Sequence, residues 1–228
     1  MARYIAKLKK GEGVKFISHL DLMRCMQRAI RRSKVPISYS KGFNPHADMS
    51  FATPVSVGTA SEGEYMDFML EFEMDENSIA EAVNRSLPDD IRILWVKRID
   101  EKLPSLMSMV DAASYEITII NPQPKLIIQK SIDSFLNRPS IEVMKESKKG
   151  EKLVDIKPMI YDIRLKSNDG PISVIETTIK AGSRSNLNPE LLFNAMQLYM
   201  GLKDSRIRDI TKKETYTEES GKFKNLWL

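Results

Sequence analysis

The chain has 228 residues, 42% of them hydrophobic, with a formal net charge of +4, which is enough apolar material for one large or two small buried cores. A single cysteine excludes an intramolecular disulfide, and no apolar run is long enough to span a bilayer. The opening MARYIAKLKKGEG lacks the apolar stretch of a secretory signal, so a cytoplasmic protein is expected.

The charge is unevenly spread. Residues 1 to 50 hold eleven Lys or Arg against three acids, whereas residues 51 to 84 hold eight acids and no Lys or Arg. The N-terminal segment can therefore attract polyanions in a way that the modest total conceals.

In chain order, ARYIAKLKK reads as a strand, residues 18 to 34 as a helix, ISYSK and EYMDFMLEFEM as strands, residues 76 to 87 as a helix and IRILWVKRI as a strand. A softer stretch, DEKLPSLMSMVDA, follows as a link. The second half repeats the order: strand SYEITII, helix PKLIIQKSIDSFLNR, strands IEVMKE, MIYDIRLK and ISVIETTIK, helix PELLFNAMQLYMG and strand SRIRDITKKETY, with an extra or split strand near residues 153 to 165. The expected fold is α+β: two tandem ferredoxin-like (β-α-β-β-α-β) halves with antiparallel sheets, over residues 1–102 and 112–228.

The helix after Ser18 is well signed. Ser18 is a good N-cap and Asp21 can complement the helix dipole. At about 100° per residue, Leu22, Met23, Cys25, Met26, Ala29 and Ile30 share one arc, and Arg24, Arg28, Arg31 and Arg32 share the opposite one. Four like charges at i,i+3 and i,i+4 spacing repel by a few tenths of a kcal/mol per pair. The stripe is expected either to hold a phosphate-rich partner such as RNA or to be neutralised internally, for instance by the acidic segment 62 to 81. Cys25 falls on the apolar side and reads as core.

The following SKGFNPHADMSFATP joins the turn residues Gly42, Asn44 and Pro45 to Phe43 and His46. Phe43 can stack on a base while Lys41 meets phosphate, or the aromatic can tuck into the core. His19 and His46, the chain's two histidines, would need to meet to act as base and acid in RNA cleavage, and nothing in their spacing shows that they do. Two histidines and one cysteine make no metal ligand set, and Walker and dinucleotide fingerprints are missing, so no cofactor is expected. A second anion candidate is Gly182, Ser183, Arg184 and Ser185, ahead of a helix capped by Asn188 and opened by Pro189. Its alternative is a plain β-to-α turn.

Residues 15 to 68 resemble the opening of the radical-SAM-linked protein family, a bacterial domain of unknown function. The resemblance rests on Phe16, Ser18, His19, Asp21, Arg24, Arg28, Ala29, Arg31 and Arg32, then Tyr39, Ser40, Gly42, Phe43, Asn44, Pro45 and His46, then Ser50, Phe51 and Ala52; AGSRSNLNPELL is similar to its later signature. It implies an accessory role beside a separate radical SAM protein, because the chain has no three-cysteine cluster motif. The functional expectation is a non-catalytic protein that binds structured RNA (rRNA or tRNA) through Arg24, Arg28, Arg31, Arg32, Lys41 and Phe43 and presents it to a radical SAM modifying enzyme. The rivals are a subunit docking an acidic protein face and a metal-independent endoribonuclease using His19 and His46. Oligomeric state is left open.

Overall fold

The computed structural model describes residues 1–99, 102–147 and 150–227. Two positions of the expected link, 100 and 101, lie outside them. The chain divides into two compact units, Met1–Asp111 with Lys212–Leu228, and Ala112–Thr211. Both are mixed α and β, and the strand pairing is mostly antiparallel.

The first unit runs β1 (Ala2–Lys10), α1 (His19–Ser33), β2 (Met49–Phe51), β3 (Thr59–Leu70), α2 (Glu76–Asn84), β4 (Ile91–Ile99) and a short α3 (Leu106–Met109). β1 lies between β3 and β4, antiparallel to both, and β2 pairs with β3, Met49 opposite Phe68. Alternation along β1 turns Tyr4, Ala6 and Leu8 to one face. There they meet Leu22, Met26, Ala29 and Ile30 of α1, Ile79 and Val83 of α2, and Met66, Phe68 and Val96. Full burial of Leu22, Met26 and Ile30 contributes about 1.5–3 kcal/mol each. Tyr4 stacks on Phe68, and its hydroxyl donates to the Met74 carbonyl and accepts from the Met74 N–H, both at 2.9 Å.

The second unit contains β5 (Ala112–Ile120), α4 (Lys125–Leu136), β6 (Glu142–Ser147), β7 (Gly150–Asp155), β8 (Ile160–Asp169), β9 (Ile172–Lys180) and α5 (Pro189–Met200). β9 pairs antiparallel with β5 and β8. Alternate residues of β5 and β9 are buried, and α4 and α5 supply Ile128, Ile132, Phe135, Leu192, Phe193 and Met196 to the core. β10 (Arg206–Glu219) divides between the units at Thr211 and Lys212, and β11 (Lys222–Asn225) pairs with its later residues.

Two local expectations need correction. ISYSK does not form a strand: only single bridges occur, Ile37 with Leu70 and Tyr39 with Ala47. The Ser40 N–H bonds to the His46 carbonyl instead, because the glycine and proline behind it close a local loop. The extra strand material of the second half is a separate two-stranded hairpin, β6 with β7.

Candidate anion-binding interface

Helix α1 begins as its sequence requires. Ser18 Oγ accepts from the Asp21 N–H at 3.2 Å and donates to Asp21 Oδ2 at 2.7 Å. That hydroxyl, then the neighbouring Arg24, holds the Asp21 carboxyl below its ordinary pKa. The apolar arc is buried at Leu22, Met26, Ala29 and Ile30 and partly buried at Met23 and Cys25. Burial pushes the Cys25 thiol up, against the opposing pull of Arg32 and Arg28, so this cysteine is not an activated nucleophile.

The opposite arc is exposed, and it splits. Arg32 donates to the Ser86 carbonyl at 2.8 Å. Arg24 makes a loose pair with Asp21 at 3.4 Å, the two side chains 61% and 58% exposed, a geometry of little energetic consequence. Arg28 and Arg31 make no hydrogen bond or ion pair among the described residues. Internal neutralisation by segment 62 to 81 does not occur at these positions, since its paired acids are engaged elsewhere: Glu62 with Lys213, Glu64 with Lys212, Asp67 with Arg3, Glu73 with Arg98 and Glu76 with Lys97.

Beside these guanidinium groups stands the glycine-phenylalanine turn. The Ser40 N–H donates to the His46 carbonyl at 2.8 Å, and the His46 N–H donates to Ser40 Oγ at 3.0 Å. The Asp48 N–H donates to the Ser38 carbonyl, also at 2.8 Å. These bonds close residues 40 to 46 into a loop whose tip carries Lys41 and Phe43, and Phe43 is fully exposed and not tucked into the core. Between loop and helix lies an open cleft of about 330 Å³ lined by Arg24, Gln27, Arg28, Arg31, Tyr39, Pro45, His46 and Ala47. It presents three cationic side chains, a phenol and an imidazole on one wall or another, which suits a phosphate-bearing partner.

The structure thus gathers Arg24, Arg28, Arg31 and His46, and it leaves Arg32 and His19 off the cleft lining. His19 sits at the start of α1 with its ring edge-on to Phe51 at 5.2 Å and its buried Nδ1 without a hydrogen-bond partner among the described residues. Tyr39 and Gln27 are cleft residues that the sequence did not assign to binding, although Tyr39 is among the residues that carry the family resemblance. Strand-like alternation disguised Tyr39, and Gln27 is an uncharged residue between Arg24 and Arg28.

The Gly182–Ser185 stretch lies in the second unit, with Ser183 and Arg184 exposed. Asn188 caps α5 by accepting from the Glu190 N–H at 2.8 Å. Glu190 in the first turn already complements the positive end of that dipole, which lowers the attraction for an outside anion. Among the described residues no cluster of three or more His, Cys, Asp or Glu is placed to hold a metal, and no helix is long and apolar enough to cross a membrane.

A family model described as an uncharacterized protein conserved in bacteria, DUF2344, matches residues 3–189. The chain belongs to this family. The match takes in the whole arginine cleft of this DUF2344 protein and reaches Pro189, the first residue of α5. No curated protein matches the sequence. Among solved structures, the chain is similar in fold to one in a Cbf5-Nop10-Gar1 complex, at 10% identity and a TM-score of 0.55, over 95% of this chain and 50% of the other. An archaeal box H/ACA sRNP Nop10-Cbf5 complex gives 10% identity, a TM-score of 0.51 and coverages of 95% and 49%. An H/ACA RNP bound to a substrate RNA containing 2'-deoxyuridine gives 9%, 0.53, and 95% and 49%. The DUF2344 chain spans about half the length of the solved chains it matches.

Proposed function

We propose that this protein binds structured RNA, rRNA or tRNA, through the cleft between α1 and the 40–46 loop, and that it presents that RNA to a separate radical SAM modifying enzyme. The observation that carries the reading is the pair Arg28 and Arg31, two exposed guanidinium groups without partners among the described residues, facing a hydrogen-bonded loop with Phe43 bare at its tip. Arginine forks onto phosphates, and an exposed aromatic on a pre-closed loop stacks on an unpaired base at little ordering cost. In this reading Arg24, Arg28 and Arg31 contact phosphate, Lys41 the backbone and Phe43 a base. The exposed Arg184 beside Gly182, Ser183 and Ser185 adds a separate anion contact.

The fold likeness to chains of H/ACA ribonucleoprotein complexes supports an RNA-related role, at the level of fold alone. The radical SAM partner rests on the sequence resemblance of residues 15 to 68. The β-α-β-β-α-β order of the first unit, and that of the second once the separate β6–β7 hairpin is set aside, supports reading each as ferredoxin-like.

The test is binding to total rRNA and tRNA across a salt series. Affinity is expected to fall by roughly 0.7–0.9 log units per log unit of salt for each phosphate neutralised, and Arg28→Ala with Arg31→Ala to reduce the slope by about two such contacts. A salt-independent interaction, or an unchanged slope in the double variant, defeats the proposal. A second reading is favoured by Phe16 and Leu20, both exposed near the start of α1. There the basic helix docks an acidic protein face, and co-purification that survives nuclease and is lost in Arg28→Glu, Arg31→Glu would select it.

A further inference from the structure

The chain has two tryptophans, and both line one other cleft of the first unit. Trp95 and Trp227 meet there with Lys7, Tyr65, Lys97 and Asn225 around a volume of about 480 Å³. This cleft shares no residue with the arginine cleft. Strand alternation sets it on the other face of the sheet: Ala6, Leu8, Met66 and Val96 point into the core beneath α1 and α2, so Lys7, Tyr65, Trp95 and Lys97 point away from it.

Its floor is fixed. The Tyr65 hydroxyl donates to Glu214 Oε1 at 2.8 Å, Lys7 Nζ donates to Glu214 Oε2 at 2.6 Å, and Lys7 stands 5.7 Å above the Tyr65 ring. Burial, then the Glu214 charge, drives the Tyr65 hydroxyl far above its ordinary pKa, so it stays a protonated donor. Trp95 meets Tyr65 edge-on at 5.8 Å, and both indoles remain half-buried, with ring surface still open. The walls are thus mostly apolar and aromatic, with few polar groups.

Half-open indoles in a slot suit a flat ring that stacks. Lys7 and Lys97 line the cleft, each paired with a carboxylate, so an anionic substituent is favoured where one of these lysines can exchange its partner. Lys7 is committed to Glu214, but among the described residues Lys97 is held only by an exposed pair with Glu76 at 3.2 Å, which is easily exchanged for another anion. Asn225 offers an amide, donor and acceptor together, of the kind that reads a heterocycle edge. We infer that this cleft binds a nucleotide unit, its base against Trp95 and Trp227, its edge read by Asn225 and its phosphate met by Lys97. The site stands on its own residues and does not depend on what the arginine cleft holds. The unit can be a free mononucleotide or one nucleotide of a single strand.

Because both tryptophans are in the cleft, the intrinsic fluorescence of the intact protein reports on it directly. The probes are the four ribonucleoside 5′-monophosphates, a single-stranded RNA hexamer and, as control, ribose 5-phosphate. At least one nucleotide or the hexamer is expected to quench saturably while ribose 5-phosphate does not. Trp227→Leu, read through Trp95, is expected to weaken that binding about tenfold, and Lys97→Gln, an exposed change that spares the fold, to weaken it severalfold and flatten its salt dependence. Saturation by mononucleotides identifies the free source, and saturation by the hexamer alone identifies the strand. Repeating the hexamer titration in the Arg28→Ala, Arg31→Ala protein separates the two clefts, since tryptophan quenching should persist there. No saturable quenching by any probe, equal quenching by ribose 5-phosphate, or unchanged affinity in both Trp227→Leu and Lys97→Gln overturns the inference.

Discussion

Ser40 and His46 grip each other by two hydrogen bonds, the Ser40 N–H on the His46 carbonyl at 2.8 Å and the His46 N–H on Ser40 Oγ at 3.0 Å. One serine thereby closes the loop that carries Phe43. Ser40→Ala removes the second bond only. Because the loop is exposed, the expected stability cost is at most about 1 kcal/mol by denaturant titration. RNA affinity is expected to fall severalfold as the tip loses its set conformation, with the salt slope unchanged because the arginines are intact. An unchanged affinity would remove the loop from the interface.

Arg28 and Arg31 lie one turn apart, and no acid among the described residues pairs with either. Replacing Arg28 with Gln is expected to leave the stability of the free protein unchanged or raise it slightly, by a few tenths of a kcal/mol, whereas Arg31 also complements the C-terminal end of the α1 dipole. In the presence of RNA the order should reverse, the parent protein being the more stabilised because its ligand binds the folded state. Two melting series, with and without RNA, check this.

The acid limb of stability should be set partly by the two carboxylate caps. Asp21 is held below its ordinary pKa chiefly by the Ser18 hydroxyl, and Asp75 chiefly by the Ser78 N–H. A depressed folded pKa means stability that is present above the ordinary carboxylate value, about 3.9, and is lost as the pH falls through the lowered one. Helical circular dichroism followed from pH 6 to pH 2 should therefore fall more gently in Asp21→Asn, Asp75→Asn than in the parent, and the variant should start less stable at neutral pH.

Lys212 and Glu64 form an ion pair at 2.6 Å with side chains 2% and 1% exposed. Ser61 donates to the same Glu64 Oε1 at 2.9 Å, while Glu64 Oε2 has no hydrogen-bond partner among the described residues. Burial also lowers the pKa of nearby Lys10, whose ammonium donates to the carbonyls of Lys15 and Ile17. Lys212→Met leaves a buried carboxylate without its ammonium and is expected to cost about 3–5 kcal/mol by urea unfolding. Adding Glu64→Gln should recover a large part of that loss, since the charge is then gone from both sides.

Much of the fold was legible where periodicity met good caps. β1, β4 and β9 occupy the runs expected for them, and α1 starts at Ser18 because a hydroxyl three residues before an acid makes a reciprocal cap. The arginine stripe was legible for the same reason: 3.6-residue spacing fixes faces whatever the tertiary context. Residues 37 to 41 misled because Ile, Ser, Tyr and Ser alternate like a strand, yet the Ser38 N–H bonds to the Met69 carbonyl of β3 while the Ser40 N–H turns to the His46 carbonyl within the loop, and alternation carries no information about which partner an amide finds. That the stripe splits, with Arg32 turned to Ser86, depends on where α2 ends, which no local pattern reports. The tryptophan cleft was illegible for a stronger reason. Lys7, Tyr65 and Trp95 are far apart in sequence and meet only through long-range strand pairing, and Trp227 joins them from just beyond β11.

The chain leaves its first unit at Asp111 and comes back to it at Lys212. Lys212 and Glu214, which pair with Glu64 and Lys7, are therefore made about a hundred residues after the sheet they complete. On a translating ribosome, at roughly 5–20 residues per second, that sheet waits several seconds or more with Glu64 unpaired and the indole-lined slot half built. The intervening Ala112–Thr211 segment has its own core and is free to fold in the interval. Maturation of the nucleotide cleft is thus tied to synthesis of the segment after Lys212, so shorter nascent fragments carry the arginine helix but not the second tryptophan.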